Sequence, residues 1–496
     1  MRRQLFVLLI LVFALSDMSI ASEPDSLKIS VADYQSILRR LDALESKQSQ
    51  SVDAHTGATS LQARTGATIV DTAKSTTDSV PQAVEEKSKR SGRLTIGGYG
   101  EAVMSRHFYS DHFNRYINPS AHRNDRSNGT VDLPHVVINL GYDFGHGWSF
   151  GTEIEFEHGG TESAVEIDAD EAGEYEAEVE KGGEVALEQF WINKEFFPLL
   201  NLRMGEIIVP VGMTNSHHLP TEFFTSYRNE GEMQLFPCTW HQIGVELWGR
   251  NEYVGYQAQF LAGLDAERFS APWFVHYGAT SPYEFKLANG YAFAGRVDGY
   301  VPNSGLRLSM SGYVGTSFHN TQYAGSYSSK YDKILATLAI AAFDFQWERF
   351  GVIMRGNIDY AHLSNAAEVW ALFQNLSKHT SQDGSPRTGS PVSSQALCGG
   401  LQVGYDIFHY LPAMQGRRQK LIPFVVYEYY DPVFENSTTS FKYEYMKRHR
   451  VAAGVNYYPI PEVVIKAEYS RRFLPDGYND EPSVNFSVAY SGWFKI

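Results

Sequence analysis

The chain has 496 residues, 20% of them charged and 14% aromatic, with 30 Tyr, 30 Phe and 42 Gly. Its formal charge of −15 lies in residues 93–496, where 46 acidic groups face 31 basic ones, because residues 1–92 carry 11 of each. That balance excludes nucleic acid as a partner, which needs a basic face, and the two cysteines, Cys238 and Cys398, are too few for a disulfide framework.

Residues 1–21 read as a secretory signal peptide. Met1-Arg2-Arg3 is followed by an apolar run from Leu5 to Leu15 and by Ser19-Ile20-Ala21. The run is too short to cross a bilayer as a helix, and no later stretch reaches the roughly 18 apolar residues that a membrane helix needs. Within 22–47, Leu27, Val31, Tyr34, Leu38 and Leu41 alternate by steps of four and three. This predicts a short coiled-coil or amphipathic helix that needs a partner to hold. Residues 48–92 are rich in Ser, Thr, Ala and Gly without apolar periodicity, which predicts a flexible linker.

From Arg93 onward apolar and polar residues alternate with period two, the pattern of strands with two unlike faces. Val136, Ile138, Leu140 and Tyr142 alternate with Val137, Asn139, Gly141 and Asp143. Val352, Met354, Ile358 and Tyr360 interleave with Arg355, Asn357 and Asp359. Sixteen strands are expected. The first eight fall at 94–106, 132–143, 147–158, 184–197, 199–208, 238–250, 252–264 and 288–301. The rest fall at 305–317, 332–348, 350–364, 396–409, 418–431, 446–458, 462–472 and 483–496. Connections alternate between short and long. The long ones are 107–131, 159–183, 209–237, 265–287, 318–331, 365–395, 432–445 and 473–482. A soluble sandwich, such as a secreted glycan-binding domain, has no reason for that parity. A bacterial outer-membrane barrel, with short periplasmic turns and long external loops, requires it. Residues 93–496 are therefore expected to form an all-β, sixteen-stranded antiparallel transmembrane barrel in the outer membrane of a Gram-negative bacterium. The preceding residues would be periplasmic, and the two cysteines, on distant strands, unpaired. The last strand, with Phe486, Val488, Tyr490, Phe494 and Ile496 on one face, runs to the chain end.

Strand phase directs Arg203, Arg296, Arg307, Arg355, Arg450, Lys466 and Arg472 into the lumen as pore-lining candidates. The same phase directs Glu153, Glu155, Glu157 and Asp359 inward, with Glu101, Asp143, Asp298, Asp406 and Glu468. The first three strands supply an acidic wall and arginines appear from the fifth, so a transverse field is expected across the channel. Barrels of sixteen strands leave an aqueous lumen, though the same charges could instead pair and fill a plugged barrel. The third long connection, 209–237, is the candidate constriction loop, because its aromatics and prolines suit packing on the wall. Its candidate residues are His217, His218, Phe223, Phe224, Arg228 and Glu230. The adjacent histidines lack a third ligand at metal spacing, and no cofactor is expected. The acidic stretch from Glu166 to Glu184 lacks the order of a calcium loop and is expected to be solvated.

Three segments carry a family resemblance. They are Gly151-Thr152-Glu153-Ile154-Glu155-Phe156-Glu157-His158-Gly159-Gly160, Arg203-Met204-Gly205-Glu206-Ile207-Ile208-Val209-Pro210-Val211-Gly212 and Thr239-Trp240-His241-Gln242-Ile243-Gly244-Val245. They resemble the phosphate-selective porin O and P family of Bacteroidota over about residues 93–496. The resemblance implies a sixteen-stranded porin, often a homotrimer, set in lipid and lipopolysaccharide, with an inward-folded third loop. Phosphate-selective members use ladders of arginine and lysine, whereas this barrel is net acidic and poor in lysine. The function expected is passive diffusion of small hydrophilic solutes or ions, including phosphate and other anions. The alternatives are an envelope-tethering structural barrel or a barrel enzyme. For the last, Ser216-His217 lies in no G-x-S-x-G elbow.

Overall fold

The computed structural model describes residues 93–163, 166–167, 177–178, 181–279, 287–321, 333–376, 391–414, 417–435 and 444–495. The expected signal peptide, helix and linker, and most of the acidic stretch after Glu166, lie outside the described residues. The strands are β1 Leu94–His107, β2 His135–Gly145, β3 Trp148–Ser163, β4 Lys181–Phe197, β5 Leu200–Ile208, β6 His241–Arg250, β7 Val254–Ala262 and β8 Tyr291–Val301. They continue as β9 Leu306–Thr316, β10 Thr337–Arg349, β11 Val352–Leu363, β12 Gln395–Tyr405, β13 Lys420–Glu435, β14 Arg448–Ile460, β15 Val463–Phe473 and β16 Glu481–Lys495. All sixteen expected strands are present, with ends shifted by at most five residues.

Each strand pairs antiparallel with its sequence neighbours, and β1 closes the ring by pairing with β16 from Thr95↔Lys495 to His107↔Ser483. A short piece, Asn128–Asp132, pairs with the far end of β1 ahead of β2. Pro134, with no N–H for the ladder, stands at the break between them. Closure leaves no strand edge with unsatisfied backbone groups.

The turns β2–β3, β4–β5, β6–β7, β8–β9, β10–β11 and β14–β15 use two to four residues each. Between β10 and β11 the turn is Phe350-Gly351 with φ of 56° and 76°, both left-handed, as a two-residue hairpin with the twist of its strands requires. Gly205 in β5 has φ 128°, and a Cβ there would lie 2.1 Å from the Phe190 carbonyl oxygen of β4. Only glycine fits this point of the Arg203-Met204-Gly205-Glu206 motif. The long connections hold the helices α1 Glu230–Leu235 and α2 Ala366–Leu376, which the strand pattern did not disclose.

Outside and inside differ along every stave. Val245, Val297, Met310, Ile358, Val425, Ile465 and Val488 are exposed on the outer face. Phe144, Trp148, Phe197, Tyr253, Phe350, Tyr410 and Trp493 ring the short-turn end. Tyr291, Phe293, Tyr360, Tyr469 and Phe486 lie exposed towards the long-connection end. An aliphatic band between aromatic girdles is the surface a bilayer solvates, and far larger than the apolar patches water-soluble proteins carry. The apolar cores lie inside. One joins Trp240, Leu235 and Phe236 to Tyr313, Phe269, Phe274 and Phe318 near the long-connection end. The other joins Phe224 to Ile353, Ile422, Phe424 and Val464 of the wall.

Candidate functional site

The connection from Val209 to Trp240, between β5 and β6, folds into the barrel. Its first residues are apolar and buried (Val209, Val211, Met213), and Arg296 of β8 donates to the Gly212 carbonyl at 3.0 Å while the Gly212 N–H donates to Ser311 of β9 at 3.1 Å. It then crosses to the opposite wall. Tyr458 of β14 donates to the Thr221 carbonyl at 3.0 Å, and the Thr221 hydroxyl meets that of Ser491 on β16 at 2.6 Å. Lys466 of β15 donates to the carbonyls of Phe223 and Thr225 at 3.0 and 2.8 Å, with its ammonium 4.0 Å from the Phe223 ring centre. Asn456 donates to the Phe224 carbonyl at 3.0 Å, Arg355 to that of Glu222, and the Phe224 ring stacks on Phe424. Backbone carbonyls that would be orphaned inside a barrel are thus answered by side chains of the wall.

The loop's charged residues divide between two walls. Glu230, at the start of α1, takes Arg472 through both carboxylate oxygens at 2.6 and 2.8 Å, Tyr430 at 3.0 Å and Arg450 at 3.2 Å. Arg450 also pairs with Glu428 at 2.8 Å and Glu468 at 3.4 Å. Burial pushes the Glu230 carboxyl up, but Arg450 and Arg472 outweigh it and hold the group well below the usual carboxylate range. Glu232 accepts the Met213 and Thr214 N–H groups, both at 2.6 Å, and closes the loop on itself. Arg228 lies on the other side and is almost wholly buried. It donates to the His218 carbonyl and to Thr239, both at 3.3 Å, in the field of Glu155 and Glu188. Burial, with Arg228 second, holds the His218 imidazole below its ordinary value, and burial raises the Glu222 carboxyl.

The structure places each expected wall residue as follows. Arg296 and Arg307 converge on Asp344, which has no exposed surface, at 2.8 and 3.1 Å, and Arg296 also meets Asp298 at 2.9 Å. Arg203 pairs with Glu246 at 3.0 Å between the indoles of Trp191 and Trp248. Asp359 is buried beside Asn357 and 3.4 Å from the Cys398 thiol. Glu153 is buried against Gln189, while Glu155 and Glu157 lie 2.7 and 3.9 Å from His135. Arg450 and Lys466 are buried, Arg355 and Arg472 half-buried. Asp143, by contrast, is exposed at the short-turn rim, and Asp406 stands beyond the end of β12. In the constriction loop, Phe223, Phe224, His217, His218 and Arg228 are all buried. His217 faces Glu222 at 3.9 Å, and Ser216 donates to the Gly212 carbonyl at 3.4 Å. Both cysteines are free thiols, Cys238 within the loop rather than on a strand.

Several partners had escaped the sequence reading. Asp344, Glu188, Glu246, Glu428 and Glu481 all face inward, and strand phase carries the signal: Asp344 stands between Phe343 and Phe345 of β10. What the sequence lacks is the cross-strand register that pairs them. Lining residues of the loop and wall (Met213, Thr214, His217, Glu222, Phe223, Asn229, Arg355 and Gln402) enclose space for about one water. At that point the loop packs against the wall.

No family model matches the chain. A protein of Aquifex aeolicus (strain VF5), described as uncharacterized, is 28% identical over 393 residues, which cover 77% of this chain and 76% of that one. Among solved structures, an anion-selective porin from Comamonas acidovorans is 9% identical with a TM-score of 0.47, covering 80% of this chain and 99% of that one. The outer membrane channel DcaP of Acinetobacter baumannii is 10% identical with a TM-score of 0.45, covering 82% and 99%. Pseudomonas putida OprB is 9% identical with a TM-score of 0.46, covering 81% and 94%. None of these likenesses assigns a role to a residue of this chain.

Proposed function

We propose that the protein is an outer-membrane channel for passive diffusion of small hydrophilic solutes or ions, narrowed by the loop from Val209 to Trp240. One observation carries the reading: a closed sixteen-strand barrel with a lipid-compatible exterior has a charged interior, crossed by a loop held through polar contacts. A barrel serving only as a tether could fill its interior with paired charges, but sixteen strands enclose more room than side chains fill, which favours a solute path. The pore-lining groups are Arg296, Arg307, Arg355, Arg450, Lys466, Arg472, Glu153, Glu155, Glu157 and Asp359, with Arg203 at the indole pair. The preference for phosphate or other anions rests on the family resemblance, and Arg296, Arg307 and Arg450 each spend charge on a carboxylate. The assembly is a homotrimer in lipopolysaccharide-bearing membrane, with residues 22–92 on the periplasmic side.

Planar-bilayer recording tests this. Stepwise conductance that survives deletion of residues 22–92 supports the channel. An intact barrel that conducts nothing under any loop substitution refutes it and leaves the tether. Reversal potentials under a potassium chloride gradient, with and without phosphate, decide selectivity. A potassium preference with no phosphate block removes the anion reading alone.

A further inference from the structure

The wall formed by β1, β3 and β4 holds more negative charge than its visible partners answer. Glu101, Glu153, Glu155 and Glu188 are all buried there. Arg228 faces them from the loop, with Lys466 near Glu101 and His241 near Glu188, and among the described residues Glu153 and Glu155 have no second fixed cation beside them. Buried charge in such excess calls for protons or a cation.

At the long-connection end of this wall, three metal-ligating groups converge. Strand register opposes His135 on β2 to Glu157 on β3, with Glu155 two residues further along β3 on the same inward face. His135 Nδ1 lies 2.7 Å from Glu155 Oε1 and 3.9 Å from Glu157 Oε1, and the three ligand atoms all lie within 4.8 Å of one another. A divalent ion with bonds of about 2.1 Å spaces its ligand atoms about 3.0–3.4 Å apart. The first contact needs to open by a few tenths of an ångström and the second to close by about half an ångström.

Two further buried polar atoms nearby lack a partner among the described residues. Gly100 pairs with Val136 at the end of the β1–β2 ladder, and the next residue of β1, Glu101, keeps Oε2 buried without a hydrogen-bond partner. From the loop, His218 meets the Asn215 carbonyl through Nδ1 and lies in the field of Glu188 of β4. Its Nε2 is also buried and unpartnered, with the Tyr99 ring 5.7 Å from the His218 ring. Glu157 keeps 33% of its side chain exposed, which gives an arriving ion its entrance.

We infer that His135, Glu155 and Glu157 bind one divalent transition-metal ion. One imidazole with carboxylates suits zinc, manganese or ferrous iron better than calcium, which prefers six or more oxygens. The site does not depend on whether the barrel conducts.

The test uses the full chain in detergent micelles, stripped with a chelator and dialysed against Zn²⁺ or Mn²⁺ alone, with bound metal counted per chain. One ion per chain is expected, and Glu155→Gln with Glu157→Gln weakens its binding by at least about 10-fold. The paired substitution Glu174→Gln with Glu176→Gln, in the acidic stretch, leaves it unchanged. Heat-modifiable gel mobility confirms that each variant keeps its barrel, and His135→Asn is a second variant should the glutamine pair fail to fold. Absence of a bound ion, equal binding in folded variants of the site, or loss on altering Glu174 and Glu176 would each overturn the inference.

Discussion

Replacing Glu230 by Gln should loosen the loop's strongest attachment to the wall. The carboxylate receives Arg472 at 2.6 and 2.8 Å, Tyr430 at 3.0 Å and Arg450 at 3.2 Å. Charge-assisted hydrogen bonds contribute about 1.5–3 kcal/mol each, but these are not additive here. Arg450 keeps Glu428 and Glu468, and Arg472 keeps Glu481 at 3.5 Å, so neither guanidinium is stranded. The amide oxygen also retains part of the geometry. The net loss is then about 2–4 kcal/mol of docking energy, at or below the cost of breaking a buried pair outright. That raises the undocked fraction about 30- to 900-fold. Single-channel recordings should show larger or longer openings in E230Q than in the parent, and amide hydrogen exchange should quicken across 209–240 while the strands stay protected. Unchanged conductance together with unchanged exchange in that segment would refute the view that this cluster holds the loop.

The same carboxylate gives a pH expectation. Because its folded value is depressed, its contribution is complete above the ordinary carboxylate range near about 4.3 and is lost as pH falls below it. Loop protection measured by hydrogen exchange should therefore hold from neutral pH to about 5 and weaken only in stronger acid through this group. Asp344→Asn should cost about 3–5 kcal/mol, since it leaves Arg296 and Arg307 buried without their shared carboxylate. Urea unfolding in lipid vesicles reads that loss, and a change under about 1 kcal/mol would show the cluster to be hydrated instead. Val297→Arg, on the exposed outer face of β8, should cost about 2–4 kcal/mol in the same assay. Ser309→Arg, facing inward on β9, tests the opposite face through conductance, and equal effects of the two on unfolding would contradict the assignment of faces.

Strand number, phase and loop parity were legible because they are local. A period of two declares itself in Val352, Met354 and Ile358, and Gly or Asn at the turns marks where it stops. Helix α1 was not legible, for its six residues and their N-cap Asn229 gain their fold from contacts with Tyr430, Arg472 and Gln402 that lie about 170 to 240 residues away in sequence. The direction of Arg296 could be read from β8 alone, but its partner could not, because Asp344 reaches it only through the registers of β8 with β9 and β9 with β10. Sequence spacing gives faces; register gives pairs. Read from spacing alone, the inward arginines therefore had no partners, whereas in the barrel Arg203, Arg296, Arg307, Arg450 and Arg472 each meet a carboxylate and Arg355 meets the Glu222 carbonyl.

That pairing bears on what the loop can do. A loop held by apolar packing alone would be tight whatever solute arrived, since oily contacts do not exchange with ions. Here the anchors are Glu230 on guanidiniums, carbonyls on Lys466 and Arg355, and Arg228 against glutamates. Each of these is a contact that a hydrated ion or polar solute can imitate, so displacement costs a difference between two polar partners and not the full desolvation of either. Phe223 and Phe224 set the resisting term, because leaving Phe424 and Ile422 exposes apolar surface at about 25 cal/mol per Å². In the channel proposed above, a loop held this way is expected to yield to solutes carrying charge and to resist apolar ones. Phe224→Ala should therefore raise basal leakage for neutral and charged solutes alike, whereas E230Q should favour charged ones.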